Sequence, residues 1–217
     1  NTVKAYYTNI DNTQIAFIGD SLFIPQMLNN RLGDKMIEES VTGIYLDTLT
    51  SQVTQFPMKY PPLISSKDVR NSIEGPLSFS LAYNGESFVY SFAMDENLYK
   101  ANPYTGCVEK YPAKSRYLSN LRFKRMPDDF SQVLKKICET ADYGNILYDK
   151  YRKVYYRFVH PETELEDNLN YLAGKELGYV NSKAMEGTIQ AHVNGNVPNM
   201  LIEIEKLDEE NIGELIY

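Results

Sequence analysis

The sequence has no tryptophan, two cysteines, two histidines and no surplus of basic residues. Each scarcity excludes something. Cys107 and Cys138 show no CxxC spacing, and neither His160 nor His192 has a second histidine, cysteine or carboxylate at ligand spacing, so no metal site is expected. With 22 Lys+Arg against 29 Asp+Glu the net charge is −7, and the densest basic stretch, Arg116 to Arg125, is diluted by apolar residues. An acidic chain repels phosphate backbones, which argues against nucleic-acid binding. No apolar run approaches the roughly 18–20 residues of a membrane-spanning helix. The first residues, Asn1-Thr2-Val3-Lys4, contain no initiating methionine and no signal-peptide core, so a trimmed or partial chain is expected.

What is present favours sheet. The 217 residues include 18 Tyr and 9 Phe, with 43% hydrophobic and 24% charged residues overall. That composition supports a packed core without disulfides or cofactors. Aromatic residues suit pleated, half-buried surfaces. A unit recurs in which an apolar run meets an Asp or Asn turn and a second run rich in aromatic or β-branched residues. Its copies centre on Asp11, Asp47, Asn102, Asp149 and Asp208, separated by 36, 55, 47 and 59 positions. Asx side chains close turns through their own oxygens, so each copy reads as a β-hairpin. The mean spacing, about fifty, is near the length of a four-stranded propeller blade.

Residues 77–111 carry the clearest unit. Leu77 to Tyr83 alternates large apolar with small residues, which predicts a strand with one buried face. Asn84-Gly85 is a strong hairpin signal. Ser87 to Ala93, Leu98-Tyr99 and Cys107 to Tyr111 complete four antiparallel strands. One helix is expected near 128–142. Asp128 caps it, Phe130, Val133, Leu134, Ile137, Cys138 and Ala141 form one face, and Gly144 stops it. Cys138 then reads as a buried thiol, with a Cys107–Cys138 disulfide left open. Residues 25–40, 57–75 and 161–180 read as loops, with room for a short helix between Met27 and Glu39.

Few residues suggest chemistry. Gly19-Asp20-Ser21 resembles the nucleophile block of SGNH-type esterases, but the family's other blocks are missing. His160 and His192 lack an Asp three positions earlier, and a serine without its base is inert. Asp128-Asp129 reads as a helix cap and Asp208-Glu209-Glu210 as a turn. In Val154 to Val159, alternation assigns Val154, Tyr156 and Phe158 to the core. It turns Tyr155, Arg157 and Val159 outwards, and with the strand-end His160 this makes Tyr155, Arg157 and His160 the candidate binding residues.

Gln55-Phe56-Pro57, Tyr60-Pro61, Val89-Tyr90-Ser91-Phe92, Ala113-Lys114-Ser115-Arg116-Tyr117 and Val154-Tyr155-Tyr156-Arg157-Phe158 occur in this order. Over residues 40–160 the chain resembles the Bacteroidota lipoproteins grouped as domain of unknown function 4221, and is similar to six-bladed, TolB-like propellers. Residues 165–217 do not follow the pattern. The resemblance implies a propeller-like fold, export through a lipoprotein signal, and a lipid anchor on the cell envelope. It brings no catalytic residue and no cofactor. A closed six-bladed ring takes roughly 240 residues, so 217 residues make either a fragment of about four blades or an open array. The expectation is one all-β, propeller-like domain over 1–217 with one accessory helix. It would be an extracytoplasmic, non-enzymatic binding or scaffold module for a protein or glycan. A glycan-active hydrolase or lyase is the alternative, and an SGNH-type esterase the remote one.

Overall fold

The computed structural model describes residues 15–62, 78–115 and 140–160, isolated positions between 118 and 132, and the backbone of 203–208 and 215–216. Within these, twelve strands form three four-stranded antiparallel sheets. Sheet 1 holds β1 (Ala16–Ile18), β2 (Ser21–Pro25), β3 (Gly43–Asp47) and β4 (Val53–Gln55) in chain order. Sheet 2 holds β5 (Phe79–Tyr83), β6 (Phe88–Phe92), β7 (Asn97–Ala101) and β8 (Val108–Pro112). Sheet 3 holds β9 (Asp142–Asp149), β10 (Val154–His160), β11 (Glu203–Asp208) and β12 (Leu215–Ile216). This is the all-β, propeller-like repeat expected from the sequence. The described sheets number three rather than about four. A four-stranded meander has two hairpins at the same end, so one sheet can hold two Asx turns. Asp149 and Asp208 indeed end β9 and β11 of one sheet.

Sheet 2 lies between the other two, and its alternation divides its side chains between two cores. Phe79, Leu81, Phe88, Tyr90 and Phe92 join Ala16, Ile18, Phe23 and Phe56 of the first sheet and its exit segment. Phe23 and Phe88 lie 4.3 Å apart between ring centroids, with Phe56 edge-on to both. Edge-to-face rings add favourable quadrupole contacts to the burial itself. The alternate residues, Ala82 and Val89, face Ile146 and Tyr155 of sheet 3. The small positions of β5 are therefore buried too, so this strand has two buried faces rather than one. Their size lets β9 come close enough for the Ile146 N–H to donate to Ser80 Oγ at 3.0 Å.

Between β2 and β3, a 3-10 segment (Asn30–Lys35) leads into one short helix, α1 (Met36–Glu39). Met36 and Ile37 close the end of the first core. A helix near Met27 to Glu39 is thus present, in shortened form. The helix expected near 128–142 falls mostly outside the described residues. Its C-terminal end is not helical: Asp142 opens β9, and Gly144 is a strand residue rather than a stop. Cys107 is an exposed free thiol, and Cys138 lies outside the described residues.

Candidate functional site

Three turns repeat one geometry. Asp47 Oδ1 accepts from the N–H groups of Leu49 and Thr50 at 2.9 and 2.8 Å. Asn102 Oδ1 accepts from Tyr104 and Thr105, both at 2.9 Å. Asp149 Oδ1 accepts from Tyr151 and Arg152 at 2.9 and 3.1 Å. Four positions after each Asx residue the chain takes positive φ, at Ser51 (59°), Gly106 (69°) and Lys153 (54°). The Asx oxygen satisfies two backbone donors that a tight turn would otherwise leave without internal partners. Those bonds also hold the carboxylates of Asp47 and Asp149 below their ordinary range. For Asp47 the main cause is the Thr50 backbone N–H, then that of Leu49; for Asp149 it is the Arg152 side chain, then the Arg152 N–H.

All three turns lie at one end of the array. In any meander the first and third hairpins share an end, which places the Gly19-Asp20 turn with Asp47 and the Asn84-Gly85 turn with Asn102. Between sheets 2 and 3, the Tyr143 N–H bonds Ala93 O at 2.8 Å, while Ile146 reaches Ser80. Strand β9 therefore runs alongside β5 in the same direction, and its following turn comes out beside Asn84-Gly85. Between sheets 1 and 2, the Tyr45 hydroxyl donates to Pro103 O inside the Asn102 turn. Burial, with Tyr104 and Tyr83 nearby, pushes the Tyr45 hydroxyl pKa up, so it stays a neutral donor.

The residue two positions after each Asx stands at the tip. These are Leu49, Tyr104 and Tyr151, exposed to 78%, 75% and 85%. They are the three most exposed large hydrophobic side chains among the described residues. Two side-chain-to-backbone bonds hold each tip, and hydroxyl or cationic residues flank it in the chain: Thr48 and Thr50, Thr105, and Lys150 with Arg152. Lys150 Nζ sits 5.0 Å from the Tyr151 ring centroid. Sequence reading found the three Asx residues and missed the tips. The signal was the constant offset in Asp47-Thr48-Leu49, Asn102-Pro103-Tyr104 and Asp149-Lys150-Tyr151.

The candidate residues Tyr155, Arg157 and His160 do not form a shared exposed site. Tyr155 and Arg157 are fully buried, and so is Val159, whereas Tyr156 and Phe158 are only partly covered. From Tyr155 onward the expected faces of β10 are therefore reversed, while Val154 is buried as expected. Sheet 2 packs on the Tyr155 side, and Tyr155 fills the second core against Tyr148, with ring centroids 5.0 Å apart. The Arg157 guanidinium lies 3.7 Å from the Tyr143 ring centroid and donates to Ala113 O and Glu96 O. It ties two loops of sheet 2 to sheet 3. His160 is exposed at the far strand end, with Nδ1 2.6 Å from Asp142 Oδ1.

At that far end a cleft of about 320 Å³ is lined by Asp95, Glu96, Asn97, Lys114 and Tyr143, among others. Asp95 accepts from the Tyr99 hydroxyl, from the Asn97 N–H at 3.0 Å and from the Asn97 side-chain amide at 2.5 Å, which makes it the closing residue of the β6–β7 turn. Gly19-Asp20-Ser21 is the hairpin turn from β1 to β2, with Gly19 at φ 59°. A nucleophile elbow needs strand, turn and helix, so this segment does not present Ser21 as one.

The family model for the Domain of unknown function (DUF4221) matches residues 4–173. A solved structure of a member of that family from Bacteroides vulgatus superposes with a TM-score of 0.61 at 21% identity. It covers 93% of this chain and 49% of that one, so the chain spans about half the length of its structural neighbour. Among curated proteins, the match is local. Glucose-6-phosphate isomerase of Clostridioides difficile is 59% identical over 51 residues, which is 24% of this chain and 11% of that enzyme. The Staphylococcus aureus (strain Newman) isomerase is 57% identical over 51 residues, 12% of its length.

Proposed function

The chain belongs to the DUF4221 family of unknown function, and from that premise we propose that it is a binding module whose turn end docks a protein partner. The observation that carries this reading is the repeated display of Leu49, Tyr104 and Tyr151 on fixed Asx turns at one end of three stacked sheets. Tips that protrude fit the grooves of another macromolecule better than they enclose a small ligand. Tyrosine offers large contact area at little entropic cost, and hydroxyl-rich neighbours adapt to a partner's polar groups. Turns already held by two side-chain bonds lose little further freedom on binding. The resemblance to Bacteroidota lipoproteins supports a site of action on the cell envelope, where the partner would be another envelope protein.

The test compares the wild-type chain with a triple variant, Leu49→Ser, Tyr104→Ser and Tyr151→Ser, as baits in detergent-solubilised envelope extract. These side chains are exposed, so the variant keeps its fold and melting temperature. The expected result is a protein retained by the wild type and lost by the variant. Equal retention by both would remove the turn end as the docking face.

A further inference from the structure

A groove of about 380 Å³ lies between the segment that leaves sheet 1 and the edge of sheet 2. Its first wall is stiff. Pro57, Pro61 and Pro62 have φ fixed by their rings, and Met58 O accepts from the Thr42 N–H at 3.0 Å. One end is closed where Pro57 packs on Gly106, whose missing Cβ would overlap the proline ring. Buried Met58 and Tyr99 lie beneath. The second wall is β8, which the register places. Val108 pairs with Ala101 and Lys110 with Tyr99. Ala101 and Tyr99 belong to the first core, so Val108 and Lys110 turn their side chains to that same side, into the groove. Val108 is 42% exposed there. Lys59 and Lys110 are exposed, and no Asp or Glu lines the groove with them. Neither lysine forms an ion pair with a described carboxylate. In a chain of net charge −7, the groove is a local excess of positive charge. The backbone adds a third feature. The Asn102 N–H donates to Cys107 O at 2.9 Å, so in the alternating ladder Lys100 and Glu109 also bond each other. The N–H and C=O groups of Val108 and Lys110 then point away from β7. Among the described residues no strand meets them, because β8 is the edge of sheet 2.

We propose that this groove takes an extended acidic segment of a partner protein, added to β8 as a fifth strand of sheet 2. The same two residues, Val108 and Lys110, offer free backbone groups and line the groove. A strand bonded to them therefore puts every second side chain into it. An apolar side chain fits beside Val108 and the prolines, and a carboxylate meets Lys110 and Lys59. Edge lysines keep sheets apart unless the incoming strand carries the opposite charge, so the lysines select the acidic segment. The rigid proline wall loses little freedom on binding. None of Leu49, Tyr104 and Tyr151 lines the groove, so it is tested separately from the turn end.

The test is fluorescence polarisation of the full chain with a labelled, end-blocked peptide, Thr-Glu-Thr-Val-Thr-Glu-Thr-Val, and its counterpart with Lys in place of Glu. The Glu peptide should bind at least about tenfold more tightly, and more weakly as salt is raised. The double variant Lys59→Glu and Lys110→Glu should reverse that order. Both side chains are exposed, and circular dichroism checks that the variant is folded. Only alternate amides of an added strand face β8. N-methylation of the Glu peptide in one alternating phase should therefore abolish binding, and in the other phase spare it. Two variants should bind as the wild type does: the triple Leu49→Ser, Tyr104→Ser, Tyr151→Ser chain, and Phe17→Lys, whose side chain is 69% exposed on the far face of sheet 1. Failure of the Glu peptide to bind, equal binding of the two peptides, or an unchanged order in the double variant would each overturn the proposal. Binding indifferent to methylation would mean that the groove takes any amphiphilic anion, and would overturn strand addition.

Discussion

Asp47, Asn102 and Asp149 do the same work in three sheets, but only two of them titrate. The folded-state pKa values of Asp47 and Asp149 are depressed, so the unfolded chain binds protons first as pH falls. Their stabilisation is present above the ordinary carboxylate value of about 3.9 and is lost as pH drops through the lower folded values. The double variant Asp47→Asn and Asp149→Asn keeps the Oδ1 acceptors and removes the titration. Melting temperature measured against pH should therefore fall less steeply for this variant below about pH 4. A curve parallel to the wild type would mean that other carboxylates dominate acid unfolding. Positive φ at Ser51 and Lys153 gives a second expectation. Ser51→Gly should stabilise the chain by about 1 kcal/mol in urea unfolding, because glycine carries no left-handed penalty. Gly106→Ala should destabilise it by at least about that much. The Asx residues were legible because they act on neighbours two and three positions away. The tips were not, because exposure at a turn depends on what the whole sheet end leaves uncovered.

Elements were legible where local pattern and tertiary environment agree. Residues 77–111 fold as four strands because the turn at Asn84-Gly85, the Asp95 turn and the Asn102 turn are all encoded locally. The burial of their second face was not legible. Ser80 and Ala82 look like solvent positions until sheet 3 arrives. Strand β10 was misread for the same reason. An arginine in alternation suggests water, yet Arg157 is buried because Ala113 O, Glu96 O and the Tyr143 ring receive its planar fork. Lysine offers neither that fork nor the stacking. Arg157→Lys should cost about 2 kcal/mol of stability in urea titration. Phe88, in contact with Phe23, Phe56 and Tyr83 rings, should cost about 3–5 kcal/mol when truncated to alanine.

At the scale of the molecule, the repeated Asx turn and its spacing near fifty residues carried the architecture, and the superposition on the family member from Bacteroides vulgatus shows the same fold. The number of sheets was not recoverable from turn counting, since a meander places two hairpins at each shared end. The 51 residues that match glucose-6-phosphate isomerase cover 11% of the Clostridioides difficile enzyme, and no isomerase chemistry is assigned on that basis. What the molecule presents is a stack of sheets with one end studded by three fixed apolar tips. The most direct measurement is retention of an envelope protein by immobilised wild-type chain against the Leu49→Ser, Tyr104→Ser, Tyr151→Ser variant, with Phe17→Lys as a control that leaves the turn end intact. The account predicts equal retention by the wild type and the Phe17→Lys chain, and a loss of at least about tenfold for the triple variant. Undiminished retention by a folded triple variant would contradict it.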